Sequence, residues 1–254
     1  MNPRAFYKLV ALWALLTVVA DDLCAQVILS NSKVTYTYLE TPSGTYVPAT
    51  PLTSAFPEPS LSFAPSGFVA STTGAGFQSD ALTGVLTVDM DAASGLWFTS
   101  NAISLFLSGS YSLTAPFPAS QAFTSFASSY TLIVDGVDGN PFSSSMPLSA
   151  NITNISPASV GVSGPGGTSS GSWNGSFVLD INSIKTHFGI GPANNVTGMR
   201  LQLSTTVSAA SIDGMASAAL LNVNVGNVTV PEPSTYALLG VSALALAFFG
   251  RRRR

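Results

Sequence analysis

Charge is scarce in this sequence. Asp, Glu, Lys and Arg make up 8% of its 254 residues, against a typical ~25%. Nine residues are basic, and they are unevenly spread: Arg4 and Lys8 lie near the start, Arg251 to Arg254 at the end, and only Lys33, Lys185 and Arg200 between. No basic patch can therefore neutralise a row of phosphates, which excludes nucleic acid as a partner. Histidine occurs once, at His187, so multi-histidine metal sites are excluded and any Ser-His-Asp chemistry would have to pass through that residue. Its neighbours Thr186 and Phe188 form no nucleophile elbow or zinc motif, and a surface position on a short helix is expected. Cysteine also occurs once, at Cys24. Asp21, Asp22 and Leu23 stand before it, where a lipid-attachment signal needs small residues. Cys24 is expected to leave with a cleaved leader, so the mature chain has no disulfide, no thiolate nucleophile and no cysteine metal site. No cofactor is implied.

Apolar residues are abundant. They account for 46% of the chain, enough to bury a sizeable core and to exclude a disordered polypeptide. The start has a basic n-region with Arg4 and Lys8, an apolar stretch from Leu9 to Ala20 and a polar exit. This predicts a secretory signal peptide over residues 1–25, since so short a run does not span a bilayer. Cleavage after Ala25 and after Ala20 both fit.

The end reads VPEPSTYALLGVSALALAFFGRRRR, from Val230 to Arg254. Pro231 and Pro233 cannot sit inside a helix and hold their preceding residues extended. Ser234 or Thr235 can cap a helix that follows, and the uncharged run predicts a membrane helix over 235–250. At ~1.5 Å per residue it is ~24 Å long, short of the ~30 Å hydrocarbon core. Arg251, Arg252, Arg253 and Arg254 then form a cytoplasmic anchor by the positive-inside rule. The Pro231-Glu232-Pro233 segment emerges on the other face, where a membrane enzyme can grip it. Phe56-Pro57-Glu58-Pro59-Ser60 repeats the tripeptide, but no apolar run follows it. The signal therefore lies in the combination of tripeptide, helix and arginines.

That combination resembles the PEP-CTERM sorting signal of Gram-negative bacteria. The resemblance covers only the last 25 or so residues. It implies export, transient retention in the inner membrane and processing by an exosortase, in organisms that often make exopolysaccharide. The same tail sometimes carries a label taken from an ice-binding protein. Ice binding would need regular Thr-x-Thr ranks, and only Thr35-Tyr36-Thr37 fits.

Between the two ends the pattern is of period two. Val34, Tyr36 and Tyr38 alternate with threonines; Phe177, Leu179 and Ile181 alternate with Val178 and Asp180. Met199, Leu201, Leu203, Thr205 and Val207 alternate with Arg200, Gln202, Ser204, Thr206 and Ser208, and Leu221, Val223 and Val225 with Asn222 and Asn224. Such alternation predicts half-buried strands, with further strands near 61–70, 82–90, 96–115, 129–137 and 147–156. About ten strands with hardly any helix predict a mainly β, antiparallel β-sandwich, jelly-roll-like, as one domain over 26–229. One short helix is expected from Asn182 to Phe188, ended by Gly189. Thr41 to Ser60 reads as a Pro-rich loop and Ser163 to Ser172 as a Gly/Ser-rich one.

Few residues carry chemistry. Asp135-Gly136-Val137-Asp138-Gly139-Asn140 lacks the spacing of a calcium loop and predicts a hairpin turn. Asp89 and Asp91 share one face at a strand end, a pair that could bind a cation or share a proton, although a solvated strand terminus is the plainer expectation. Trp97, Trp173, Tyr111 and Tyr130 are candidates for a sugar-stacking face or for core. Five Asn-x-Ser/Thr sites, at Asn151, Asn154, Asn174, Asn195 and Asn227, stay unassigned. The expected function is that of an exported structural or interaction protein of the envelope or extracellular matrix, not an enzyme. Its partners are an exosortase and the inner membrane. A carbohydrate-binding module holding exopolysaccharide is the alternative.

Overall fold

The computed structural model of the chain describes residues 25–30, 34–40, 50–51, 61–65, 67–99, 103–143 and 146–226. The leader before Ala25, most of the Pro-rich loop, the sorting motif Pro231-Glu232-Pro233, the expected helix over 235–250 and Arg251 to Arg254 lie outside the described residues. Among those described, no helix is long and apolar enough to cross a membrane.

The elements run β1 (Ala25–Ser30), β2 (Val34–Glu40), β3 (Thr50–Pro51), β4 (Leu61–Phe63), β5 (Val69–Thr73), β6 (Phe77–Ala92), β7 (Ile103–Ala115) and β8 (Gln121–Val137). They continue with β9 (Asn140–Pro141), β10 (Leu148–Asn151), β11 (Ile155–Ser156), β12 (Ser159–Ser163), β13 (Gly167–Leu179), α1 (Ile181–Phe188), β14 (Val196–Ile212) and β15 (Met215–Gly226). The described strands are mostly longer than the patterns suggested, but the 61–70 segment divides into β4 and β5, the 147–156 segment divides into β10 and β11, and residues 96–99 are not strand.

Two antiparallel sheets result. One has the order β1-β2-β6-β14-β8-β10, with β9 and β12 also on β8; the other has the order β11-β13-β7-β15-β4-β3, with β5 on β15. The long strands change sheet at each step: β5, β7, β13 and β15 belong to the second sheet, and β6, β8 and β14 to the first. The sheets face each other across one core. Phe126 of β8 stacks on Trp173 of β13 with ring centroids 4.6 Å apart, Tyr130 of β8 on Phe177 of β13 at 4.2 Å, and Tyr38 of β2 meets Phe63 of β4 edge-on at 5.2 Å. The expected alternation in β14 holds: Met199, Leu201, Leu203, Thr205 and Val207 are buried, while Arg200 and Gln202 are exposed.

Trp173 sits at the centre and is fully buried. Its indole Nε1 donates to the Ala219 carbonyl at 3.0 Å, which satisfies the one polar atom such a ring brings into a core. Gly109, its partner in β7, leaves the room it needs, because a Cβ there would overlap the indole and the Ala219 carbonyl oxygen.

Three expectations need correction. The Gly/Ser-rich stretch from Ser163 to Ser172 is largely strand: only a tight turn separates β12 from β13. Tyr111 covers Gly171 directly across the ladder, its ring atoms within 3.3 Å of where a Cβ would lie, and this replaces the packing that the glycine lacks. The alternation from Phe177 does not continue to Ile181. Asp180, extended at φ −82° and ψ 137°, caps a helix by accepting from the Asn182 amide, and Ile181 is its first residue. Gly189 ends α1 in the left-handed region at φ 66°, as expected of a C-terminal glycine. Leu221 does not share a face with Val223 and Val225. A bulge between Leu220 and Asn222 buries Leu220 and leaves Leu221 exposed, since an extra residue in one strand shifts the register of facing.

Candidate functional site

One end of the body gathers the long connections. The segment Ala93 to Trp97 follows β6, the Asp138-Gly139 turn joins β8 to β9, and α1 with residues 189–195 leads into β14. The ends of β6, β8 and β14 and these connections enclose a cleft of about 850 Å³ lined by Asp91, Trp97, Asp135, Asn140, Asn195 and Gly198, among others.

The walls are pinned by short hydrogen bonds. Asp138 and Gly139 both have positive φ, 50° and 74°, and Val137 pairs with Asn140; this is the geometry of a two-residue hairpin turn. The turn is tied to the start of β14: the Asp138 amide donates to the Asn195 carbonyl at 2.8 Å, the Asn195 amide to Asp138 Oδ1 at 2.8 Å, and the Gly139 amide to Thr197 Oγ1 at 3.1 Å. On the other side the Phe98 amide donates to the Val196 carbonyl at 3.0 Å. These bonds hold the turn and the Trp97 segment against the same short stretch of β14.

Gly198 is the floor. It pairs with Asp91 of β6 and Gly136 of β8, at a register shift in β14. A Cβ there would lie 2.5 Å from Asp135 Oδ1 and 3.2 Å from Asp91 Oδ1, so both carboxylates lean over the glycine from opposite sides. Bulges re-aim side chains in this way. Burial pushes the Asp135 carboxyl above its usual range; the Asp91 charge adds to this and Arg200 offsets part of it. Burial likewise raises Asp91, with Asp89 adding and Arg200 opposing. Asp135 Oδ1 is buried and has no hydrogen-bond partner. Arg200 itself is committed to Asp89, with Nε donating to Oδ1 at 2.5 Å, and that bond raises the guanidinium further.

Asp89 and Asp91 do share a strand end, yet Asp89 is taken by Arg200 and Asp91 faces Asp135. The Asp135–Asn140 segment is a hairpin turn, as expected, with Asp135 still on the strand. What pattern reading missed is the pairing across β14, and its one trace in the sequence is Gly198, a glycine inside a strand pattern, which marks a close approach or a bulge. Of the four aromatic candidates only Trp97 lines the cleft, half-buried; Trp173 and Tyr130 are core, and Tyr111 packs on Gly171. His187 is exposed on α1, edge-on to Phe188 at 4.9 Å. Among the described residues, no group of three or more His, Cys, Asp and Glu side chains is placed to hold a metal ion.

The class of protein is therefore a mainly β body of two antiparallel sheets with a cleft at one end. The tail is more specific: residues 229–254 match the family described as the PEP-CTERM protein-sorting motif, and the chain carries that motif at its C-terminus. A search of curated proteins finds no match. Among solved structures, a family 11 xylanase from Neocallimastix patriciarum is 11% identical over 81% of this chain and 94% of its own, with a TM-score of 0.20. A tandem of CBM22 domains from Paenibacillus barcinonensis is 9% identical over 71% of this chain and 52% of its own, at 0.19. A CBM61 module in complex with β-1,4-galactotriose is 10% identical over 72% and 90%, at 0.16. Likenesses this slight bear on neither fold nor function.

Proposed function

We propose that this is an exported protein of the cell envelope or extracellular matrix, anchored transiently in the inner membrane by its tail and processed there by an exosortase. The observation that carries this reading is the sorting motif matched over 229–254. The body is read as a jelly-roll sandwich with a structural or interaction role and no catalytic one. The strand orders β5-β15-β7-β13 and β6-β14-β8-β12 support the jelly roll, which is two Greek keys folded into facing sheets. Among the described residues Lys185 and Arg200 are the only Lys or Arg, which supports partners other than nucleic acid.

Replacing both Pro231 and Pro233 by Ala tests the sorting. The double variant is expected to stay at full length in the inner-membrane fraction, while the wild type is shortened and released. Equal release of both would sink the exosortase reading. A second reading, carbohydrate binding in contact with exopolysaccharide, is favoured by one specific observation: Trp97 lines the cleft together with Asn140 and Asn195.

A further inference from the structure

We propose that the cleft between Trp97 and the Asp91–Asp135 pair binds a neutral glycan chain. This rests on the carbohydrate-binding reading and gives it a site, a chemical class and an exclusion.

Three features on the cleft wall converge on such a ligand. The first is Trp97, the one aromatic candidate that lines the cleft. An indole offers a broad apolar surface at little conformational cost, and the C–H face of a sugar ring is an apolar surface of matching shape. The second is the supply of hydrogen-bonding groups. Asp91 and Asp135 only accept when ionised, whereas Asn140 and Asn195 both donate and accept. Hydroxyl groups of a ligand can donate to the exposed Asp91 carboxylate and exchange hydrogen bonds with Asn140 and Asn195, which a ligand without hydroxyls cannot.

The third feature is charge. Asp89, Asp91, Asp135, Asp138 and Asp180 stand at this end against Arg200 and Lys185; Arg200 is already held by Asp89 and Lys185 Nζ donates to the Pro192 carbonyl. A uronate or sulfated polymer would meet uncompensated negative charge, so the ligand is neutral. A divalent cation is the rival occupant that two carboxylates suggest. However, no third carboxylate or imidazole joins them among the described residues. The cleft, at about 850 Å³, is also far larger than an ion needs and lies in the range of sites for organic ligands.

The full-length chain in mild detergent is to be run through native gels containing hydroxyethylcellulose, dextran or alginate. Retardation by at least one of the two neutral polymers and none by alginate is expected. Trp97→Ala should weaken the retarding interaction at least tenfold, Trp97→Phe should keep most of it, and Phe117→Ala, exposed at the opposite end, should leave it unchanged. Should Trp97→Ala fail to fold, cellohexaose added to the wild type is expected to shield tryptophan fluorescence from acrylamide. Retardation by neither neutral polymer, retardation that survives in a folded Trp97→Ala, or preference for alginate would overturn the proposal. So would a rise in melting temperature with calcium alone that Asp135→Asn abolishes, which would assign the carboxylates to a cation. None of these failures touches the sorting reading, which stands or falls on fractionation of the proline variant.

Discussion

The body has two unlike halves. At the clefted end the core is built of bulky side chains: Ile103, Leu105 and Leu107 of β7, Leu132 and Val134 of β8, Met199, Leu201 and Leu203 of β14, Val223 and Val225 of β15. Towards the opposite end most inward positions of these sheets shrink, with Leu113 of β7 the bulky exception. Ala122 and Thr124 of β8, Ala209 and Ser211 of β14, Ala216 and Ala218 of β15, and Ala70 and Thr72 of β5 are all buried there. Small side chains let two sheets approach more closely than the usual ~10 Å, and the turns at that end are correspondingly short, at 74–76, 116–120, 164–166 and 213–214. The contrast shows that this chain places its bulkiest packing and its long connections together. The bulky half supplies most of the apolar burial, and the same half carries α1, the Trp97 segment and the cleft. Gly226, the last residue of β15, pairs with Ser104 at that end.

Trp173 marks the border between the halves, and its removal should have the largest effect. Trp173→Ala empties a fully enclosed site and deprives the Ala219 carbonyl of its donor. A loss of about 3–5 kcal/mol is expected from aromatic-to-Ala substitutions in cores, measured by urea unfolding of the full chain. The glycine cradle at Gly109 cannot close the cavity by itself. A loss below about 1.5 kcal/mol would mean that the sheets collapse onto the gap, and that the border is softer than the packing implies.

The regular strands of the bulky half were legible, and its irregularities at Ile181 and Leu221 were not. Met199 to Val207 alternate large apolar and polar residues, and period-two reading placed every one of them on its proper face. The small half resists the same reading. In Gly167 to Ser172, Ser and Gly occupy both inward and outward positions, so hydropathy does not alternate and the segment looks like a loop. What makes it a strand is long-range: β7 supplies a full ladder of partners and Tyr111 roofs Gly171. The site was half legible for a related reason. Asp89, Asp91 and Asp135 are visible as residues, but the strand that brings Asp91 and Asp135 together, β14, lies more than sixty residues downstream, and nothing local announces the pairing.

The small half makes the opposite prediction in sign. The hydroxyls of Thr72 and Thr124 are buried there with no hydrogen-bond partner. Valine has the same shape and the same strand preference, and it removes the unmet desolvation cost. Thr72→Val and Thr124→Val should each raise stability by about 1 kcal/mol, read as a higher urea midpoint at unchanged slope. Destabilisation by either would show that the hydroxyl is engaged, and that the two halves differ in size but not in polar satisfaction.

The cleft gives the smallest effect and the one that depends on pH. Asp135 has its carboxyl raised above the ordinary 3.8 by burial and by Asp91. The folded state then holds a proton more tightly than the unfolded chain. Its contribution is most favourable below the unfolded value and declines as pH rises through the window between the two. Above the folded value the carboxylate stays charged, partly buried and short of a partner. Asp135→Asn removes that titration, and the new amide can donate to the Asp91 carboxylate across Gly198. The variant should therefore melt higher than wild type at pH 7, and the gap should shrink as pH falls towards 4. Equal melting at both values would mean that water or a ligand already satisfies the carboxylate. A variant that melts lower at pH 7 would mean that the charged form is needed to hold the turn and β14 together, which would make the clefted end a structural device and not a prepared site.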